Sequence, residues 1–307
     1  MTGSGSSRNR RATSTSTTSR LPGRRYTLLD VFTSTRLQGN PLAVVHDADG
    51  LTDPVMHAFA RETRLSETCY VQSPRVAGAD YRNRIWTMGG EIPFAGHPSL
   101  GVAAAVARAR GESRVTYTQE SGAGLQPIEV EARAGGVVGV SMLQEPAVFG
   151  PELDPADVLG AVGLGEDDAH PELPCQAMST GLWHVIAPVR DAAVLAGLWP
   201  DYDRISGLLA PHSGICLYVA AVEPEAGSAR ARSFPGRAEQ GEDPATGSAA
   251  GPLCAYLARR TGTARVTVAQ GVEMGRGARL VAELEGDRVR VGGDAVVVID
   301  GTVHLDD

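Results

Sequence analysis

Lysine is absent from this 307-residue sequence: all 28 basic residues are arginine. That removes Schiff-base chemistry and phosphate loops of the Walker type. Cysteine is scarce as well. Cys69, Cys175, Cys216 and Cys254 lie far apart, with no Cys-x-x-Cys pair and no histidine at a ligand spacing. Neither a structural zinc nor a disulfide framework is expected, and a reducing cytoplasm fits best. No run of about 18 apolar residues occurs, so no membrane-spanning helix is expected.

Acidic residues are missing from residues 1–25, which carry six arginines (Arg8, Arg10, Arg11, Arg20, Arg24, Arg25). The net charge of −8 therefore hides a body of −14. Such a body gains nothing from releasing phosphate counterions, and nucleic-acid binding is not expected. The first 20 residues also lack the apolar stretch of a secretory signal, and no apolar run follows the Arg10-Arg11 pair. Residues 1–25 read as a disordered extension.

What is present describes an ordinary globular chain, 42% hydrophobic and 21% charged. Its length suggests two domains sharing a cleft. Tyr26 to Phe32 reads as a strand. Asp53-Pro54 starts a helix with Met56, Phe59 and Ala60 on one face. An alanine-rich helix is expected from about Pro98 to Arg110, and strand-like runs broken by glycines fill 115–142. Pro146 to Pro151 marks a boundary. Short helices near 155–162 and 203–210 and strands at 182–188, 215–222 and 229–234 lead to a helix ending near Arg260. Strands at 266–270, 279–284, 289–292 and 295–301 close the chain.

One internal repeat stands out. Glu91-Ile92-Pro93-Phe94-Ala95-Gly96-His97 and Glu242-Asp243-Pro244-Ala245-Thr246-Gly247-Ser248 share Glu, Pro and Gly at the same spacing, and each opens a small-residue helix. Tyr70-Val71 and Tyr218-Val219 end strands at similar distances upstream. A duplicated fold places two helix N-termini at one cleft, where unpaired N–H groups receive a carboxylate without any lysine. Gly96 and Gly247 would let a ligand approach the backbone, although each also suits a plain strand-to-helix turn. Glu67 enters a strand between apolar neighbours, where burial raises a carboxyl toward the range useful for proton transfer. Taken singly, Glu67, His97, Asp243 and Ser248 also fit structural roles as strand-edge or capping residues.

The blocks Gly39-Asn40-Pro41-Leu42-Ala43-Val44-Val45, Leu65-Ser66-Glu67-Thr68, Glu91 to Pro98, Glu242 to Leu253, Gln270 to Arg276 and Val291 to Val296 closely resemble the PhzF-like family of phenazine biosynthesis isomerases. The resemblance covers about residues 26–301. It implies an α+β, diaminopimelate-epimerase-like fold of two pseudo-symmetric lobes, each a mixed sheet wrapped around a central helix. The lobes would be 26–145, joined by the last strand at about 295–307, and 146–294. It also implies a homodimer, no cofactor and no metal.

The implied substrate is a small carboxylate, trans-2,3-dihydro-3-hydroxyanthranilate in the type reaction. There a proton leaves C3 and returns at C1, giving a ketone after tautomerisation. By the resemblance Glu67 carries the proton, His97 and Asp243 complete the catalytic set, and Gly96, Thr246, Gly247 and Ser248 bind substrate. The chain departs from the family pattern at Trp86-Thr87-Met88-Gly89-Gly90 and Gly275-Arg276-Gly277, loops that bear on substrate choice. An amino-acid epimerase or racemase is the alternative within enzymes, disfavoured because neither cleft-helix start carries a thiol. A non-catalytic metabolite-binding member of the fold is the alternative outside them.

Overall fold

A helix can be wrapped by strands on every side only if its side chains are small and apolar all round. Two alanine-rich segments of this chain meet that condition, and the rest of the fold is arranged about them. The computed structural model describes Met1, Gly3 and residues 23–305. The extension expected over 1–25, with its Arg10-Arg11 pair, lies almost wholly outside the described residues, and Arg24 and Arg25 already belong to the first strand.

The strands are β1 (Arg24–Val31), β2 (Asn40–Val45), β3 (Thr68–Gln72), β4 (Tyr81–Thr87), β5 (Gly90–Ile92), β6 (Arg114–Ser121), β7 (Gly124–Ala132) and β8 (Val137–Leu143), then β9 (Val148–Glu152), β10 (Gln176–Ser179), β11 (Trp183–Val189), β12 (Cys216–Glu223), β13 (Ser228–Pro235), β14 (Arg265–Gln270), β15 (Ala278–Glu285) and β16 (Arg288–Val303). The helices are α1 (Asp53–Thr63), α2 (Gly96–Arg110), α3 (Pro155–Gly160), α4 (Tyr202–Leu209) and α5 (Gly247–Thr261). The architecture is α+β, with parallel pairs β2/β3, β4/β6, β11/β12 and β13/β14 in an otherwise antiparallel sheet.

Strands β1, β2, β3, β4, β6, β7, β8 and β16 follow one another and close, because β16 pairs with β1. Helix α2 touches all eight, and its residues His97 to Ala107 are buried. Beyond β16 the order continues through β15, β14, β13, β12, β11 and β10 to the edge strand β9. Helix α5 packs on β10, β11, β14, β15 and β16, while Val158, Leu159, Ile205 and Leu209 of α3 and α4 build a separate apolar cluster with β11 and β12. Helices α2 and α5 also touch each other.

The breaker-rich stretch at 146–151 holds β9, which tolerates Pro151 because an edge strand need not donate every N–H. One expectation is corrected: the last two expected strands are one, β16. Its Gly292 and Gly293 are there for close approach rather than a turn: a Cβ on Gly292 would lie 2.5 Å from the Val140 carbonyl oxygen, and one on Gly293 2.7 Å from the Phe32 ring. The switch of partners from β15 to β8 to β1 takes place along this one strand.

A local pattern recurs in the two strand groups. Cys69 pairs with Ile85 and Ile85 with Ile92; Tyr218 pairs with Ser233 and Ser233 with Asp243. Arg84 donates from Nε and Nη2 to the two carboxylate oxygens of Glu91, and Arg232 does the same to Glu242. Each guanidinium also lies over the aromatic ring two residues on, Trp86 or Phe234. This register sets Tyr218 where Cys69 stands, one residue off the Tyr-Val match read from sequence.

Candidate active site

The two small-residue helices begin side by side. A Cβ on Gly96 would lie 3.5 Å from the Ser248 amide nitrogen, so the starts of α2 and α5 abut. Neither start is capped by a side chain, and a helix cannot satisfy its own first N–H groups. Gly247 is glycine for a packing reason, since its Cβ would come within 2.7 Å of the Phe32 ring. At Gly96 the space is ordinary.

Glu67 immediately precedes β3, and His97 is the second residue of α2. They meet with Glu67 Oε2 3.4 Å from His97 Nε2, and neither atom has a hydrogen-bond partner among the described residues. Burial, aided by the nearby Asp243 charge and opposed by the Ser66 hydroxyl, lifts the Glu67 carboxyl to about 7. Burial alone pushes the His97 ring down to about 3, so His97 is neutral at pH 7. Its tautomer follows from Asn40, whose Nδ2 lies 3.2 Å from His97 Nδ1. An amide nitrogen only donates, and this one shares two hydrogens among three acceptors, His97 Nδ1 being the most distant; a ring nitrogen that takes part of such a hydrogen favours the tautomer with its own hydrogen on Nε2, facing Glu67.

The second carboxyl arrives from the segment ahead of α5. Asp243 is raised from the ordinary aspartate range by burial, against the hydrogen bonds from Thr246 and Asn40. Asn40 Nδ2 donates to Asp243 Oδ1 at 2.8 Å and to the Ala245 carbonyl at 3.1 Å, and the Thr246 hydroxyl donates to Asp243 Oδ2. Gln270 braces this turn: its Nε2 donates to the Asp243 carbonyl at 2.8 Å, and its Oε1 accepts from the Thr246 amide at 3.1 Å and the Tyr218 hydroxyl at 2.9 Å.

The structure thus brings together Glu67, His97, Asp243, Gly96, Thr246, Gly247 and Ser248. Sequence reasoning missed Asn40 and Gln270 as side chains with a task. Both stood in the quoted blocks, but an asparagine between Gly39 and Pro41 reads as a turn former and a glutamine closing a strand reads as neutral. The chemistry available is a carboxyl that is about half protonated at neutral pH, an imidazole N–H beside it, a second, half-buried carboxyl, and two open helix starts suited to an anion. Among the described residues no group of three or more His, Cys, Asp or Glu is arranged to hold a metal ion. A surface groove of about 930 Å³ lined by Arg114, Glu129, Arg265, Glu283 and Arg290 includes none of the site residues.

Residues 29–301 match the family model described as phenazine biosynthesis-like protein, PhzC-PhzF. The chain belongs to this family. A curated PhzF relative, the trans-2,3-dihydro-3-hydroxyanthranilate isomerase of Pseudomonas aeruginosa, is 36% identical over 293 residues, covering 92% of this chain and 99% of the relative. Among solved structures, a predicted epimerase from Pseudomonas aeruginosa is 32% identical with a TM-score of 0.80, covering 92% of this chain and all of that one. A PhzF-family phenazine biosynthesis protein from Bacillus anthracis is 28% identical with a TM-score of 0.81, over 92% and 99% of the two chains. Among the described residues no helix is long and apolar enough to cross a membrane.

Proposed function

We propose that this protein is an isomerase that moves a proton within trans-2,3-dihydro-3-hydroxyanthranilate or a closely related cyclic amino acid, in biosynthesis of a phenazine-like metabolite. The observation that carries the reading is Glu67: a buried carboxyl lifted to about 7, facing a neutral His97 N–H, next to two uncapped helix starts. The curated relative named for this reaction supports the substrate class.

In this reading the substrate carboxylate rests on the N–H groups at the starts of α2 and α5, contributed by Gly96, His97, Gly247 and Ser248. Asp243, held by Asn40 and Thr246, accepts from the amino group. Glu67 takes the C3 proton as the ring electrons shift, and the same carboxyl returns it to C1; the resulting enol tautomerises to the ketone. One carboxyl serves as base and then acid because a group near 7 exchanges protons in both directions at neutral pH. His97 donates its Nε2 hydrogen to the carboxylate form.

The two strand groups are, in this reading, the pseudo-symmetric lobes of a diaminopimelate-epimerase-like fold, a view supported by the matching Arg84–Glu91 and Arg232–Glu242 pairs. We also infer a homodimer. The four free, buried thiols favour a reducing cytoplasm.

The test is turnover in deuterium oxide. Purified protein with the substrate should yield product carrying the label at C1, where solvent exchange on Glu67 competes with internal return. Glu67→Gln, which keeps the shape and loses the proton carrier, should lower kcat by at least about a thousandfold with an unchanged circular-dichroism spectrum. Most of the activity surviving in a folded Glu67→Gln protein would end the proposal.

A further inference from the structure

A second buried polar cluster is left over by this mechanism. His184 and Cys216 are paired in register across the parallel strands β11 and β12, with His184 Nδ1 3.1 Å from Cys216 Sγ. Both are 1% exposed and Ser233 is fully buried. Yet His184 Nε2 and Ser233 Oγ have no hydrogen-bond partner among the described residues. An enclosed polar atom without a partner costs about 1–3 kcal/mol. Folded proteins seldom keep several together unless something else is to bond them.

The strand registers say where the cluster lies. Ser233 is tied to Asp243, whose amide donates to the Ser233 carbonyl at 3.0 Å. Tyr218 pairs with Ser233, and Cys216 lies two residues before it on the same face. In the other strand group Cys69 occupies the Tyr218 position, and Glu67 lies two residues before that. Cys216 therefore takes the place in the second group that Glu67 takes in the first. By that correspondence the cluster belongs to the strand group opposite the one that carries Glu67, and it lies close enough to Asp243 for the Asp243 charge to act on Cys216.

We propose that His184, oriented by Cys216, hydrogen-bonds the C3 hydroxyl of the substrate and so selects rings that carry it. This rests on the reading that Glu67 takes the C3 proton. C3 is tetrahedral, so presenting its hydrogen to Glu67 turns the hydroxyl away, toward the opposite wall. Asp243 is engaged with the neighbouring amino group, and the groups next to it on that wall are Ser233, Cys216 and His184. Here His184 is a specificity-determining residue and Cys216 a positioning residue.

The experiment uses the full chain in a Glu67→Gln background, in which substrate persists. Calorimetry compares trans-2,3-dihydro-3-hydroxyanthranilate with 2,3-dihydroanthranilate, which lacks only the hydroxyl. The hydroxylated ligand should bind about ten- to a hundredfold more tightly, because the analogue leaves His184 unpaired. Adding His184→Leu should erase the preference while the affinity for the analogue stays the same. His184→Gln, which retains a donor and an acceptor, should keep part of it, and Cys216→Ala should reduce it a few-fold. Should the Leu variant not fold, the Gln and Ala variants decide the matter by the same ratio. Equal weakening of both ligands, or a preference that persists without His184, would overturn the inference. Failure of the underlying reading looks different: Glu67→Gln would consume the substrate, or neither ligand would bind the parent variant.

Discussion

Glu67 Oε2 and His97 Nε2 face each other across 3.4 Å, and neither has a hydrogen-bond partner among the described residues. The distance is short enough for the neutral imidazole to bias the carboxyl and too long to consume its basicity. With Glu67 raised to about 7 and His97 lowered to about 3, only Glu67 changes charge near neutrality. The base form is required for the first proton abstraction. kcat/KM for the free enzyme should fall about tenfold for each pH unit below 7 and level off above it. A pH profile flat from 5 to 8 would exclude Glu67 as the titrating base.

The same carboxyl should mark the stability of the protein. Its folded value, about 7, exceeds the 4.5 of an unperturbed glutamate, so between those two values the folded state binds more protons than the unfolded one. Stability contributed by this position is therefore present below about pH 4.5 and lost as pH rises to about 7, at up to about 1.4 kcal/mol per pH unit. Glu67→Gln removes the titration. Its midpoint in denaturant should gain on that of the parent as pH rises through this window and keep that gain, without further change, above about 7. Parallel curves for the two proteins would contradict the buried position of the carboxyl.

Much of this arrangement was legible in the chain, for identifiable reasons. The repeat Glu91 to His97 against Glu242 to Ser248 exposes the two helix starts because glycine and proline sit at fixed places in a strand-to-helix turn. The apolar run Cys69-Tyr70-Val71 that Glu67 leads into signals its enclosure. Long-range hydrogen bonding leaves no such trace. Asn40 and Asp243 are 203 residues apart in sequence, and only the closure of the sheet through β16 brings β2 to the segment ahead of α5. The Glu91 and Glu242 shared by the repeat serve the turns rather than the site, each engaged by its own arginine, Arg84 or Arg232. The continuity of β16 was hidden for a related reason: Gly292 and Gly293 signal a break locally, whereas their spacing to Val140 and Phe32 requires the absence of a Cβ.

Asn40 should behave as a clamp between His97 and Asp243. Asn40→Ala leaves Asp243 Oδ1, the Ala245 carbonyl and His97 Nδ1 without their donor, costing about 1–3 kcal/mol of stability and freeing the imidazole tautomer. Nitrogen chemical shifts of the His97 ring should then show a mixture of tautomers where the parent shows hydrogen on Nε2 only. kcat should drop more than KM rises, because the residue orients groups that act on the reacting atoms. Asn40→Asp places a third carboxyl against Asp243 and should move the acid limb of the pH profile upward, since like charges raise one another. An unaltered tautomer in Asn40→Ala would mean that another group holds the ring.

Gly96 and Gly247 occupy the same place in the repeat but should fail differently when given a methyl group. At Gly247 the new Cβ would stand 2.7 Å from the Phe32 ring, and Phe32 is itself held at φ 64° with Gly293 on its other side. The ring has little room to retreat, so Gly247→Ala should cost about 1–3 kcal/mol through overpacking and lower the Tm by several degrees. At Gly96 the nearest heavy atom is the Ser248 nitrogen at 3.5 Å, an ordinary contact, so Gly96→Ala should fold with a Tm close to the parent. Its methyl group nonetheless stands against the open amide of the facing helix, where the substrate carboxylate is proposed to rest. Affinity for a small aromatic carboxylate such as 3-hydroxyanthranilate should fall about tenfold or more in Gly96→Ala, read by calorimetry at equal fractions of folded protein. If instead Gly96→Ala binds normally while losing stability, the abutting helix starts serve packing and the carboxylate is held elsewhere.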